Sequence, residues 1–480
     1  MHTDSRGVSV STQHRSSIDA YDRAIELMHE YAGNPIAILD EALARDPSFV
    51  LGHAAKAAFI AGAGDKLYEP ELRASVEAAE QLLSTANERE RGLVAAARAW
   101  LDGDLERAID LWGRVAIAYP RDTLALQAAH IGDFMIGQQT MLRDRVAQVL
   151  HAWDEDVPGY GWVLGMYAFG LEETGDYARA EEVGRRAVAL NARDGWAAHA
   201  VAHVLEMQAR LDEGIAWLTE TSRAWAPDNA LAFHNHWHRA LYHLDLGDAA
   251  AALEIYDRQV RPADSRVVLE MIDASALLWR VHLLGEDVGA RWASLAAAWR
   301  ERTHDRYYAF NDVHALMAFI GAHDDEAAGE AVGALEAAAA GSGTNARMAR
   351  EVGLPVARAL VDFGRGEYAA CVDALLPVRH VALRFGGSNA QRDVISLTLL
   401  EAALRGGKVA LARALASERT RLRPSNPRAW LATARALDAG GEAAHAAQAR
   451  RQALRLREHF RHTGSRNKEP QIERSFASRL

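Results

Sequence analysis

One cysteine, Cys371, stands in 480 residues. An intramolecular disulfide is therefore impossible, and no zinc site can be assembled from thiolates. Basic charge is also short: 54 Lys and Arg stand against 65 Asp and Glu, for a net charge of −11. Nucleic-acid binders usually carry a basic face, and the only basic-rich stretch here follows Leu456, so no nucleic-acid partner is expected. No apolar run reaches the ~20 residues that a membrane helix needs. Residues 1–16 are polar and lack the apolar segment of a signal peptide. These absences point to a reducing compartment, and the expected location is the cytoplasm. β-branched runs are scarce too, while alanine dominates the apolar set, which favours helix almost throughout.

What is present is a repeat. Ala99-Trp100-Leu101-Asp102-Gly103-Asp104-Leu105-Glu106-Arg107-Ala108 reads as helix, glycine turn, helix. The same shape recurs at Gly175-Asp176 and Gly247-Asp248, and the three glycines are 72 residues apart each time. Weaker turns at Gly137, Leu211-Asp212 and Gly285 halve that interval, and others follow at Gly321, Gly366, Gly406 and Gly440. The period of roughly 36 is close to the ~34 of tetratricopeptide repeats. Each helix pair has an apolar stripe that it buries only by stacking on its neighbours. Gly-Asp supplies a permissive turn and then a helix N-cap. The expected fold is an all-α, tetratricopeptide-like superhelix of about ten helix pairs over residues 17–456. Residues 1–16 are expected to be disordered, and residues 457–480 form a polar, basic tail.

Twenty histidines are spread along the chain, and several fall at matching heights. His130, His203, His238 and His314 each lie seven to nine residues before a turn, on the first helix of a repeat. In tetratricopeptide architecture first helices line the concave face, so these imidazoles should face the inner groove. His199 and His203 are i,i+4, with Glu206 three residues further on, and all three share one helix face. His234 and His238 repeat the i,i+4 spacing. His236 points elsewhere, and His243 sits more than a turn beyond His238. Two such pairs on adjacent helices could converge on one divalent transition metal ion, zinc or iron, with Glu206 as a ligand or as support for one. The zinc-protease glutamate after the first histidine is missing, so that motif is absent. The competing reading of any single histidine is a hydrogen-bonded core residue, and it applies first to His53 and His130.

Phe310-Asn311-Asp312-Val313-His314 lies three repeats beyond the first pair, on the order of 30 Å away in an open superhelix of ~10 Å helices. It reaches the same site only if the array curls tightly; otherwise Asp312 caps or pairs locally. In Gly386-Gly387-Ser388-Asn389-Ala390-Gln391-Arg392-Asp393, Ser388 and Gln391 form a capping box after two glycines. Arg392 is left to clamp a substrate carboxylate or to pair with a neighbouring helix.

Taken together these segments resemble the tetratricopeptide repeat protein 38 family, found in animals and bacteria. The resemblance is carried by Asp46-Pro47-Ser48-Phe49-Val50-Leu51-Gly52-His53-Ala54, the His199/His203/Glu206 helix, His234-Asn235-x-Trp237-His238, Phe310-Asn311-Asp312-x-His314 and the Gly386–Asp393 segment, spread over most of the chain. It implies the helical-repeat fold and no established activity. It also implies one interior site to which His53 and His130 contribute, and hence an array that wraps around on itself.

Two functions follow as expectations. The first is a metal-dependent enzyme, of hydrolase type or less readily a non-haem iron oxygenase, acting on a small molecule. In it His199, His203, Glu206, His234 and His238 serve the metal, and Asp312, His314 and Asp393 act as acids or bases. Asn235, Trp237, Asn389, Arg392, His53 and His130 hold substrate. The second is a non-catalytic scaffold whose concave groove takes a protein or peptide. Metal-free acid–base catalysis by a His/Asp pair is a third possibility.

Overall fold

The computed structural model describes residues 2–466, with side chains through residue 458. Helices follow one another from Arg15 to Arg466, and the only strands among the described residues form one short hairpin. The turn glycines behave as the repeat demands. Gly103, Gly175 and Gly247 have φ of +81°, +84° and +82°, a conformation that costs glycine little. Asp104 and Asp248 then cap the following helices, Leu105–Ala118 and Ala249–Ile255, by accepting from the backbone N–H of Arg107 and Ala251. Asp176 makes no such cap and pairs with Arg179 instead. At Gly321 the expected turn falls two residues later, where His323 is left-handed at φ +56°. Gly321 itself stays helical, and the position takes glycine because a Cβ there would lie 2.3 Å from the Trp292 indole.

The array closes on itself. The Gly64 carbonyl accepts from the Asn311 side chain at 3.0 Å, and the Met135 carbonyl accepts from the Tyr308 hydroxyl at 2.9 Å. The Gly103 carbonyl accepts from the Thr344 N–H at 3.1 Å. Further along, the helix Tyr160–Glu173 meets the start of the helix Asn389–Arg405 through Glu173 and the Asn389 N–H, at 2.8 Å. One apolar core runs from Val10 to Ala436. The helix Gly195–Met207 is covered on both faces, with all 13 of its residues buried. Its small residues, five of them alanine or glycine in the first eight, allow that close cover.

The amino-terminal segment departs from expectation. His2–Thr3 and Ser9–Val10 pair as antiparallel strands, and Asp4, Arg6, Val8 and Val10 are buried. Polarity misled the sequence reading, because Asp4 is a partner for a buried cation. Arg89 donates to Asp122 at 2.6 Å and to the Tyr21 hydroxyl at 3.1 Å, and lies 3.1 Å from Asp4. At the other end the last helix, Ala443–Arg466, runs on into the expected tail, whose residues 467–480 lie outside the described residues. Cys371 is buried and free. No described helix is long and apolar enough to cross a membrane. Arg89→Ala strands two buried carboxylates, and should cost about 3–5 kcal/mol in chemical unfolding; a loss below 1 kcal/mol would show that the hairpin contributes little.

Candidate metal centre

Two neighbouring helices build the centre. Gly195–Met207 begins at Asp194, whose carboxylate caps the Ala197 N–H at 2.8 Å. Ala232–Leu246 ends at left-handed Gly247. The second helix is tied to the first by two buried side chains. Asn235 donates to the Gly195 carbonyl at 3.0 Å, and the Tyr242 hydroxyl donates to the Ala202 carbonyl at 2.6 Å. This register sets the two i,i+4 histidine pairs face to face.

His199, His203, His234 and His238 each offer a ligand nitrogen, and these atoms all lie within 4.8 Å of one another. Ring centroids are 4.3 Å apart for His199 and His203, 4.4 Å for His203 and His238, and 4.8 Å for His199 and His234. All four are buried. Such a cluster could hold a metal ion. Burial, and then the neighbouring imidazoles, hold His199 and His238 well below the usual imidazole range. Burial lowers His203 to about 4, against the pull of Glu173 and Glu206. These three are thus neutral near pH 7, which is the ligating form. Both ring nitrogens of His199 and of His203, and the Nε2 atom of His238, have no hydrogen-bond partner. Each such orphan costs about 1–3 kcal/mol if nothing satisfies it.

Three of the four imidazoles have a carboxylate behind them. His234 Nδ1 is 2.6 Å from Asp273 Oδ2, and His238 Nδ1 is 2.7 Å from Glu206 Oε2. His203 Nδ1 is 3.3 Å from Glu172 Oε2, close but without a hydrogen bond. Metal-binding histidines are commonly oriented in this way, with the carboxylate fixing the tautomer and the ring. Burial, then the charge of Glu206, pushes the Glu172 carboxyl up to about 8, and burial raises Glu206 as well. A cation between the rings would offset that cost. Glu206 therefore stands behind His238, in the supporting one of the two places expected for it, and not among the clustered ligand atoms. Glu172 and Asp273 were not foreseen.

Glu173 lies beside this set: Glu172, Glu173 and His203 also bring ligand atoms within 4.8 Å. Its oxygens are already engaged, however, by the Asn389 N–H at 2.8 Å, Gln139 at 2.9 Å and Arg392 at 3.4 Å. Asn389 and Arg392, expected to hold substrate, are thereby the latch that joins the Gly386–Asp393 turn to Glu173. Arg392 also donates to the Gly387 carbonyl. The Ser388–Gln391 capping box is present in both directions.

The other expected site residues divide. Trp237 stacks on His234 at 5.3 Å and lies under the Arg280 guanidinium at 5.2 Å, so it walls the centre. Asn235 is spent on the helix tie. His130 is one ring removed: Phe169 and Trp196 sit between it and His199. His53 is only half-buried and bonds the Pro47 carbonyl at 3.1 Å, away from the four rings. His314 Nδ1 faces the Phe310 carbonyl of its own helix at 2.7 Å. Asp312 is buried, with its carboxyl pushed up to about 7 by burial and then by Asp305. Neither joins the cluster. Asp393 is clasped by Arg419 at 2.7 and 2.9 Å, and Arg419 and Arg423 hold its carboxyl well below the usual range against the effect of burial. That fixed ion pair is unsuited to proton transfer. His236 packs against Trp225 outside the cluster, as expected.

No family model matches the chain. Among solved structures it is similar to the human IFIT1 dimer with m7Gppp-AAAA, at 14% identity, covering 93% of this chain and 96% of that one, with a TM-score of 0.43. It is also similar to yeast Tom70, at 10% identity over 95% of this chain and 97% of that one, with a TM-score of 0.30. The P58(IPK) TPR domain is similar at 13% identity over 80% of this chain and 100% of that one, with a TM-score of 0.21.

If the carboxylates orient ligands, Glu206→Gln and Asp273→Asn should each weaken metal affinity by about 10–100-fold, read by competition with a chromogenic chelator. Unchanged affinity in both would contradict the role given to them.

Proposed function

We propose that the protein is a metal-dependent enzyme of hydrolase type acting on a small molecule, with a divalent transition metal ion, zinc or iron, bound among His199, His203, His234 and His238. The observation that carries this reading is the meeting of four buried, hydrogen-bond-poor imidazoles whose ligand atoms lie within 4.8 Å. Imidazole lone pairs turned toward one small space repel unless a cation or a shared proton lies between them. Carboxylates behind three of the rings add to the preference for a cation.

Catalytic sites commonly use three protein ligands and keep one position for water or substrate, whereas structural sites close all four. The four imidazoles are not equivalent here. His234 and His238 are hydrogen-bonded to carboxylates, His203 has one 3.3 Å away without a hydrogen bond, and His199 has none. In this reading three are permanent ligands and His199 is the one that gives way. A bound ion would act as a Lewis acid toward a carbonyl and lower the pKa of water. Glu172, whose oxygens accept no hydrogen bond, is the carboxyl beside the rings that is uncommitted and able to exchange a proton. Trp237, Trp196 and Phe169 exclude bulk water around the rings. The resemblance to the tetratricopeptide repeat protein 38 family belongs to the same reading.

Elemental analysis of protein purified without a histidine tag tests it. About one equivalent of metal is expected, lost in the double variant His203→Ala with His238→Ala and kept in His199→Ala. With cobalt(II) loaded, azide should shift the visible spectrum of the wild type. Absence of metal favours the scaffold reading, and a cobalt spectrum indifferent to azide marks a closed structural ion.

A further inference from the structure

The seam where the array closes contains a second feature, far in sequence from the histidines. Residues 66–105 and 305–346 face each other across an open cleft of about 270 Å³. Trp100, Tyr307 and Tyr308 form its aromatic wall, and Leu72 and Met135 its apolar floor. Trp100 Nε1 donates to the Tyr307 hydroxyl at 3.4 Å, which fixes the two rings relative to each other.

The charges around the cleft are unevenly matched. Its three carboxylates each have an arginine within ion-pair distance: Glu69 has Arg73 at 3.1 Å, Asp102 has Arg98, shared with Glu80, at 3.6 Å, and Asp305 has Arg302, shared with Asp65, at 3.8 Å. Its two cations are not so paired. Lys66 donates to the Asp305 carbonyl at 3.0 Å, and among the described residues neither Lys66 nor Arg306 has a carboxylate partner within ion-pair distance. Both are exposed at the rim. Arg306 is also held at φ +49°, a left-handed conformation that a side chain other than glycine adopts at a cost. Asn345 holds it there from the facing segment, donating to the Arg306 carbonyl at 3.0 Å while accepting from the Ala309 N–H at 2.8 Å. The chain thus keeps an arginine, in place of the easier glycine, at the lip of an aromatic cleft.

We infer that this cleft is a binding site, separate from the histidine cluster, for a small anionic molecule with a flat apolar body. The flat body lies against Trp100 and Tyr307, and the anionic group, a carboxylate or phosphate, meets Arg306 and Lys66. The site does not depend on a metal.

Calorimetric titration of the full chain with naphthalene-2-carboxylate, and with uncharged naphthalene-2-methanol as control, tests the inference. Saturable binding of the carboxylate is expected, at least tenfold tighter than that of the alcohol. Lys66→Gln with Arg306→Gln should weaken the carboxylate at least tenfold and leave the alcohol unchanged. Arg306→Gly separates function from folding: the Tm should hold or rise as the backbone relaxes, while carboxylate binding falls. No saturable binding by the wild type, equal binding of the two compounds, or full binding by the double variant each overturns the inference.

Discussion

Everything distinctive about this protein depends on one crowded space, in which four imidazoles are pressed together away from water. Two helices alone bring the histidines into line, but they do not bury them. Burial comes from the closure of the array, which lays other repeats against the concave face. Closure in turn rests on polar latches between distant segments, such as Asn311 on the Gly64 carbonyl and the Asn389 N–H on Glu173. A helical repeat has no need of any of this for stability, since its stacking already buries a continuous core.

The carboxylates give the space its chemical character. Asp273, Glu206 and Glu172 come from three different helices and stand behind three rings. Buried carboxylates without a nearby cation are costly, and the raised values for Glu172 and Glu206 express that cost. The same groups become favourable once positive charge sits between the imidazoles. Arg392 and Arg419 are meanwhile committed to Glu173 and Asp393, so those two acids belong to the frame.

Much of the fold was legible in the sequence, because glycine turns recur with a fixed period and Gly103, Gly175 and Gly247 all adopt the conformation their position requires. The pairing of His199/His203 with His234/His238 was legible for the same reason, since i,i+4 spacing on successive first helices fixes both face and height. Asp273 and Glu172 were missed although the repeat carried the signal. Asp273 precedes its turn by 12 residues, as His199 does, and Glu172 precedes Glu206 by 34, about one repeat. Aligning acids as well as histidines by register would have found both. The engagement of Asn389, Arg392 and Asp393 by Glu173 and Arg419 was not readable, because it depends on how far the superhelix curls. The ordered amino-terminal hairpin was hidden for a similar reason: Asp4 is polar until Arg89 is known to be its partner.

The most direct measurement is a crystal of protein purified without a tag, with diffraction recorded on both sides of the zinc and iron absorption edges. The account requires an anomalous peak enclosed by His199, His203, His234 and His238, with Asp273, Glu206 and Glu172 behind the rings. Imidazoles splayed apart, or closely packed around a space that holds only water, would contradict it.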